Sequence, residues 1–192
     1  KEDTAESFTF GGPIIKDKAF FYVTYEDTLV TNPVLYGPAG SGAANEQSIT
    51  QAQVDNIRNI TKTKYGWDPL GVASTTESKQ ENTSLRIDYI VNENHRLTYN
   101  YKLTEGDRLR ASGSNSSFYF ESASYFKGEE TDTSSILLVS DWADNLISEI
   151  YYSTKSTDTS QNSPAGQDVP NFYIDDAYGM RVYLGADIYR SA

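Results

Sequence analysis

Few of this chain's reactive side chains are spaced for catalysis. His95 is the one histidine and there is no cysteine. A histidine-based triad, a zinc site built from several histidines and cysteine chemistry are therefore ruled out for this segment. Aspartate and glutamate are plentiful, yet no two stand at a spacing that marks an acid–base couple. No glycine-rich phosphate loop is present. Glu129-Glu130-Thr131-Asp132 and Asp175-Asp176 offer the oxygen ligands that calcium takes, but neither has EF-hand spacing, and a solvated surface is the favoured reading. The Asn-x-Ser/Thr triplets at Asn59, Asn82 and Asn115 follow from the abundance of Asn, Ser and Thr. The sequence thus predicts no catalytic residue, no metal site and no cofactor, and a protein that is not an enzyme.

The polar residues that do follow a pattern lie between 84 and 104. Leu85, Ile87, Tyr89 and Val91 alternate with Ser84, Arg86 and Asp88. Leu97, Tyr99, Tyr101 and Leu103 alternate with Arg96, Thr98, Asn100, Lys102 and Thr104. Period two on both arms predicts a hairpin with one apolar and one polar face. Parity then restricts the register: Tyr89 opposes Leu97, Ile87 opposes Tyr99 and Leu85 opposes Tyr101. Asn92-Glu93-Asn94 is left as a three-residue loop, with Asn94 as the left-handed residue. A slip of one residue would turn every Arg and Lys to the wrong face. If this hairpin crosses a bilayer, Arg86 or Lys102 facing lipid near the midplane would cost about 2–4 kcal/mol each. Arg86, Asp88, Arg96, Asn100 and Lys102 are therefore expected to face a polar lumen, where solvation and mutual pairing are their favoured role.

Two further hairpins are expected. The first runs from Ser7 to Ile14 and from Ala19 to Leu29 around Ile15-Lys16-Asp17-Lys18, with a bulge at Gly11-Gly12 and Pro13 near a strand end. The other runs from Thr133 to Trp142 and from Leu146 to Thr157 around Ala143-Asp144-Asn145. A last strand covers Met180 to Leu184. Between the hairpins lie long polar stretches. The 30–82 loop holds a helix near 49–64, with Ser48 and Gln51 as a capping box, Val54, Ile57 and Ile60 as its apolar stripe, and Gly66 just past its end. A loop near 106–130 carries Phe118-Tyr119-Phe120 and Tyr125-Phe126, read as a short protruding hairpin. Residues 158–176 read as loop. Binding residues concentrate in such loops. Phe118, Tyr119 and Phe120 are the candidates for stacking on a ligand such as sugar or peptide, with packing against a neighbouring loop as the preferred alternative.

The chain has 15 Tyr, 8 Phe and a net charge of −11. Aromatics favour strands and form girdles in membrane barrels. The charge argues against a nucleic-acid partner. No apolar run nears the ~18–20 residues of a membrane helix. Short turns alternating with long loops are what an up-and-down membrane barrel needs. The expected fold is all-β: a segment of an antiparallel up-and-down transmembrane β-barrel with long extracellular loops and one loop helix, 1–192 being part of a single barrel domain. The start at Lys1 and the abrupt end at Ala192 suggest a piece of a larger protein.

Gly11-Gly12-Pro13-Ile14-Ile15-Lys16-Asp17-Lys18-Ala19-Phe20-Phe21-Tyr22, running on to Tyr25-Glu26, resembles the signature hairpin of TonB-dependent outer-membrane receptors of Oar-like type. Leu85-Arg86-Ile87-Asp88-Tyr89 with Asn94-His95-Arg96-Leu97-Thr98-Tyr99 resembles their next periplasmic hairpin, and Gly185-Ala186-Asp187-Ile188-Tyr189-Arg190 a later barrel segment. The resemblance implies a 22-stranded barrel around an N-terminal plug, in the bacterial outer membrane. It implies ligand capture by extracellular loops and uptake energised through TonB. This chain holds no plug and no TonB-contacting box, so those partners would act through other parts of a longer protein, beside lipid and an unknown ligand. The alternatives are a soluble secreted β-sandwich acting as adhesin or glycan-binding module, in which the same apolar residues pack on a second sheet, and a structural surface-layer or filament subunit.

Overall fold

The computed structural model describes residues 2–111 and 113–186. The first hairpin is β1 (Glu2–Ile15) and β2 (Ala19–Pro33). Next come the short strands β3 (Tyr36–Ala39) and β4 (Asn45–Thr50), which pair in parallel, and the helix α1 (Gln51–Ile60). The second hairpin is β5 (Thr75–Asn92) and β6 (His95–Arg110). After β7 (Ser117–Tyr119) comes the third, β8 (Tyr125–Ala143) and β9 (Leu146–Asn162). The strands β10 (Phe172–Ala177) and β11 (Met180–Leu184) close the described chain.

The three hairpins join edge to edge into one antiparallel sheet of six strands, in the order β1-β2-β5-β6-β8-β9. Every strand turns back onto its neighbour in the sheet, so the tight turns all lie at one end. The connections 34–74 and 111–124 and the segment after β9 lie at the other. The fold is therefore mostly β and up-and-down. Among the described residues the sheet does not close on itself, and β1 and β9 are its edges.

The expected register of the second hairpin is the observed one: Tyr89 opposes Leu97, Ile87 opposes Tyr99 and Leu85 opposes Tyr101. The turn differs. The ladder shifts between Ile90 and Asn92, so Glu93-Asn94 alone connects Asn92 to His95. Asn94 is not left-handed; the Asn92 side chain instead accepts the Asn94 N–H at 2.9 Å, an Asx turn that removes the need. In the first hairpin Asp17 takes the left-handed position, at φ 59°. Gly11 and Gly12 make no bulge there; the irregularity falls between Pro13 and Ile15. Gly11 serves close approach instead, because a Cβ on it would sit 2.8 Å from the Phe21 carbonyl and 3.0 Å from the Tyr22 ring.

The strands run further than their apolar alternation. β5 has 18 residues, β6 16, β8 19 and β9 17, so 75–81, 106–110, 125–130 and 158–162, expected as loop, are strand, as are 172–176 in β10. In the four long strands both faces of these extensions are mostly polar, apart from Leu109, which opposes Phe126, and Tyr125. Backbone pairing carries those segments, helped by cross-strand contacts such as the Thr131–Thr157 hydroxyl pair at 3.0 Å.

The one conventional core among the described residues lies outside this sheet. The three long segments fold against one another at the end away from the tight turns. Ile49, Val54 and Ile57 pack with Phe118 and Phe120 and with Met180, Val182 and Leu184, flanked by Trp67, Val72 and Phe172. Strand β11 pairs with β10 on one side and in parallel with β7 on the other, so the third segment is hydrogen-bonded to the second. Buried Ser122 ties all three: its N–H reaches the Pro69 carbonyl at 3.2 Å, its carbonyl accepts from Ser163 at 2.9 Å, and its hydroxyl accepts from the Gly185 N–H at 3.0 Å. We call this body the cap.

The helix is present two residues later than its predicted box. Thr50, not Ser48, accepts the Gln53 N–H, while the Gln53 side chain takes the Thr50 N–H at 2.8 Å. Val54 and Ile57 are buried; Ile60, expected on the same stripe, is 39% exposed. A π turn continues the helix to Tyr65, and Gly66 ends it in the left-handed region at φ 79°. Asp68 then pins it. It accepts both Arg58 nitrogens at 2.7 and 2.8 Å and Lys62 at 3.0 Å, and the Arg58 guanidinium above all holds its carboxyl well below the usual carboxylate range.

Candidate functional site

The six-stranded sheet has two chemically distinct faces, and the register fixes which residue lies on each. One face carries Phe8 and Phe10 of β1, Phe21, Val23 and Tyr25 of β2, Leu85, Ile87 and Tyr89 of β5, Leu97, Tyr99, Tyr101 and Leu103 of β6, Ile136 and Leu138 of β8, and Ile150 and Tyr152 of β9. These residues form a band toward the tight-turn end. Nothing in the described chain covers it: none of them belongs to the buried core, and Phe8, Phe10, Ile136, Ile150 and Tyr152 are exposed. A contiguous apolar surface of this breadth demands an occupant.

The band ends at a row of carboxylates. Glu6, Asp27, Glu81, Glu105, Glu130 and Asp158 stand directly opposite one another, one on each of the six strands. Neighbouring strands are about 4.8 Å apart, so like charges are set side by side at a cost. Lys79, two residues from Glu81 on the same face, forms an ion pair with it. These acids extend in a line and do not converge. Among the described residues, no three His, Asp or Glu side chains are grouped to hold a metal ion. The row is invisible before the register is known, which is why inspection of the linear sequence misses it.

At the turn end the band is bordered by amphipathic rings. The His95 ring packs tilted against Trp142 with centroids 4.8 Å apart, and the Trp142 N–H donates to the Ser148 hydroxyl at 2.8 Å. Such residues suit a boundary between apolar and wet surroundings.

Arg86, Asp88, Arg96, Asn100 and Lys102 all lie on the opposite face. Arg86 grips Asp88 with two hydrogen bonds of 2.7 and 2.9 Å, and Thr98 donates to the same carboxylate at 2.7 Å. Asn100 reaches the Ser135 hydroxyl at 3.5 Å. Lys102 opposes Ser84 and Thr133, and Arg96 opposes Ile90 and Val139. The face continues through Thr24 and Ser84, whose hydroxyls bond each other, and through Asn82 and Thr104 at 2.9 Å. It is a mainly polar surface. Its apolar members include Phe20 and Tyr22 on β2, Ile90 on β5, Leu137 and Val139 on β8, and Ile147 and Tyr151 on β9.

The aromatic candidates in the second connection fare differently. Phe118 and Phe120 are 1% and 0% exposed, packed edge to face at 5.3 Å inside the cap. They are not available to a ligand, and no protruding hairpin forms: Phe118 and Tyr119 belong to β7, while Tyr125 and Phe126 open β8. Tyr119 points the other way and stacks on Tyr183 at 4.4 Å, with Tyr173 and Arg181 continuing the row. Glu46 caps the 37–42 turn, where the Gly40 and Gly42 N–H groups hold its carboxyl below the ordinary range. Asp175, one of the acidic doublet, pairs with Arg181 at 2.6 Å. Of the closing Gly185–Arg190 motif, Ala186 is buried in the cap, and 187–190 lie outside the described residues.

No protein-family model, curated protein or solved structure matches this chain.

Proposed function

We propose that the six strands are part of the wall of an outer-membrane β-barrel, in a TonB-dependent receptor of Oar-like type, with the apolar band against lipid and the polar face toward the lumen. The observation that carries this reading is the division of one sheet into an uncovered apolar band and a mainly polar opposite face. In a soluble sandwich the band would need a second sheet; here the other sheets are small and belong to the cap.

The dimensions agree. On β5 and β6 the band occupies 83–91 and 97–103, close to the about 9–11 residues with which a tilted strand crosses hydrocarbon. The carboxylate row then marks the outer limit of immersion, since an ionised row is costly inside lipid. The remaining strand length rises above the membrane and carries the cap, which therefore lies on the extracellular side, where ligand is captured. The open edges at β1 and β9 would be filled by further strands, because lipid satisfies no backbone hydrogen bond. Passage would follow the polar face once a plug is displaced from the periplasm.

Fractionation of cells expressing the protein in its native host tests this reading. The protein is expected in the outer-membrane pellet, released by detergent and not by high salt or carbonate. Recovery in the soluble fraction without detergent would overturn the barrel and favour a secreted adhesin.

A further inference from the structure

On the polar face, above the level of the carboxylate row, Arg108 of β6 and Lys127 of β8 stand directly opposite each other. Arg110 lies on the same face one step further along β6, opposite Tyr125. With Ser78, Lys79, Gln80, Thr104, Asp107 and Glu129 they line a cavity of about 290 Å³, although the register puts Lys79 and Asp107 on the other face of their strands. Gly106 opposes both Gln80 and Glu129 at its centre. A Cβ there would meet no atom closer than 3.7 Å, so the absence of a side chain opens the floor of the cavity.

Two features set these cations apart. Like charges directly opposite on neighbouring strands destabilise a sheet, and this chain carries a net charge of −11, so carboxylates for pairing are abundant. Yet among the described residues none of Arg108, Arg110 and Lys127 forms an ion pair, in contrast to Arg58, Lys62, Lys79, Arg86 and Arg181. Arg108 donates from its Nε to the Ser78 hydroxyl at 3.3 Å, and among the described residues its terminal guanidinium nitrogens make no hydrogen bond. Glu129 stands one step from Lys127 on the same face without bonding it.

We propose that Arg108 and Lys127, with Arg110 at the rim, form a binding subsite for a compact oxyanion of two or more negative charges, a phosphate or a set of adjacent carboxylates on the captured ligand. The arginine fork supplies paired N–H donors in the geometry of such an anion, and Lys127 adds a point charge from the facing strand. The bound anion relieves the repulsion that the empty site carries. The Gln80 amide, with one N–H beyond its bond to Asn82 at 3.4 Å, offers a neutral hydrogen bond beside it. Glu129 weakens anion binding at the site, in proportion to the ligand's charge. This assignment rests on the proposed lumen only in that the polar face must be open to water, and membrane fractionation tests that reading separately.

Titration of the purified protein in detergent with inorganic phosphate and, in a second arm, citrate tests the subsite, at constant ionic strength and with maltose as neutral control. At least one anion is expected to bind saturably and to raise the unfolding temperature. The double variant Arg108→Gln/Lys127→Gln is expected to weaken that binding by about tenfold or more, and Glu129→Gln to strengthen it severalfold. The double variant removes a repulsion between an exposed Arg108 and a half-buried Lys127, so without anion it is expected to be at least as stable as the parent. Preference for phosphate or citrate identifies the ligand's anionic group. Absence of saturable binding to either anion, or equal affinity in all three proteins, would overturn the proposal.

Discussion

Replacing Phe120 with alanine is expected to unlock all three long segments at once while leaving the six-stranded sheet paired. Phe120 is fully buried, packs edge to face on Phe118, and anchors β7 through its N–H to the Tyr183 carbonyl at 3.0 Å. Phe-to-Ala in a core costs about 3–5 kcal/mol, and a body as small as the cap holds little more than that in reserve. The sheet shares none of this core. Limited proteolysis should therefore show new cleavage in 34–74 and 163–179, with the strand circular-dichroism signal retained. Tyr119→Ala, which removes a half-buried stacked ring, should cost only about 1 kcal/mol. Unchanged protease resistance in the Phe120 variant would mean that the three segments do not depend on a common core.

The second large effect concerns the band. Ile87 lies near its middle, flanked across the sheet by Phe21 and Tyr99. Ile87→Arg is expected to lower the stability of the membrane-inserted protein by about 2–4 kcal/mol, the cost of a cation at the bilayer midplane. Asn100→Arg, one strand away on the other face, should cost almost nothing. The contrast is read in folded fraction after urea titration in lipid bilayers. If the band faced water, Ile87→Arg would be neutral or would improve solubility, and the two variants would behave alike.

How much of this was legible in advance depended on contrast between the faces. From Leu85 to Tyr89 and from Arg96 to Leu103 apolar and polar residues alternate strictly, so the register could be written down from parity. Beyond Glu81 and Leu103 that contrast disappears: Glu77, Lys79 and Glu81 alternate with Ser78, Gln80 and Asn82. A loop and a two-sided polar strand look alike when only hydrophobicity is read, and the pairing that decides between them comes from the neighbouring strand. The helix cap was ambiguous for a similar reason. Ser48 with Gln51 and Thr50 with Gln53 offer the same chemistry two residues apart, and the burial of Ile49 on β4 selects the later pair.

The cap shows what a local reading misses. Phe118 and Phe120 share one face of a period-two run, and so do Met180, Val182 and Leu184. The two runs are neighbours in β7 and β11 and bury the same face. Each half of that pattern is visible in the sequence; their parallel pairing is not. The carboxylate row and the Arg108–Lys127 pair are further cases, since their members are scattered along the chain and align only through the strand registers.

Spin labels tell the two faces apart most directly, and the absence of cysteine allows single reporters to be placed at will. Nitroxides attached to cysteines at Ile87, Tyr99 and Ile136 on one face, and at Arg86, Asn100 and Ser135 on the other, would be measured in bilayers for collision with oxygen and with a water-soluble nickel chelate. Lipid against the band predicts high oxygen and low nickel access for the first set and the reverse for the second. Equal nickel access on both faces would contradict it.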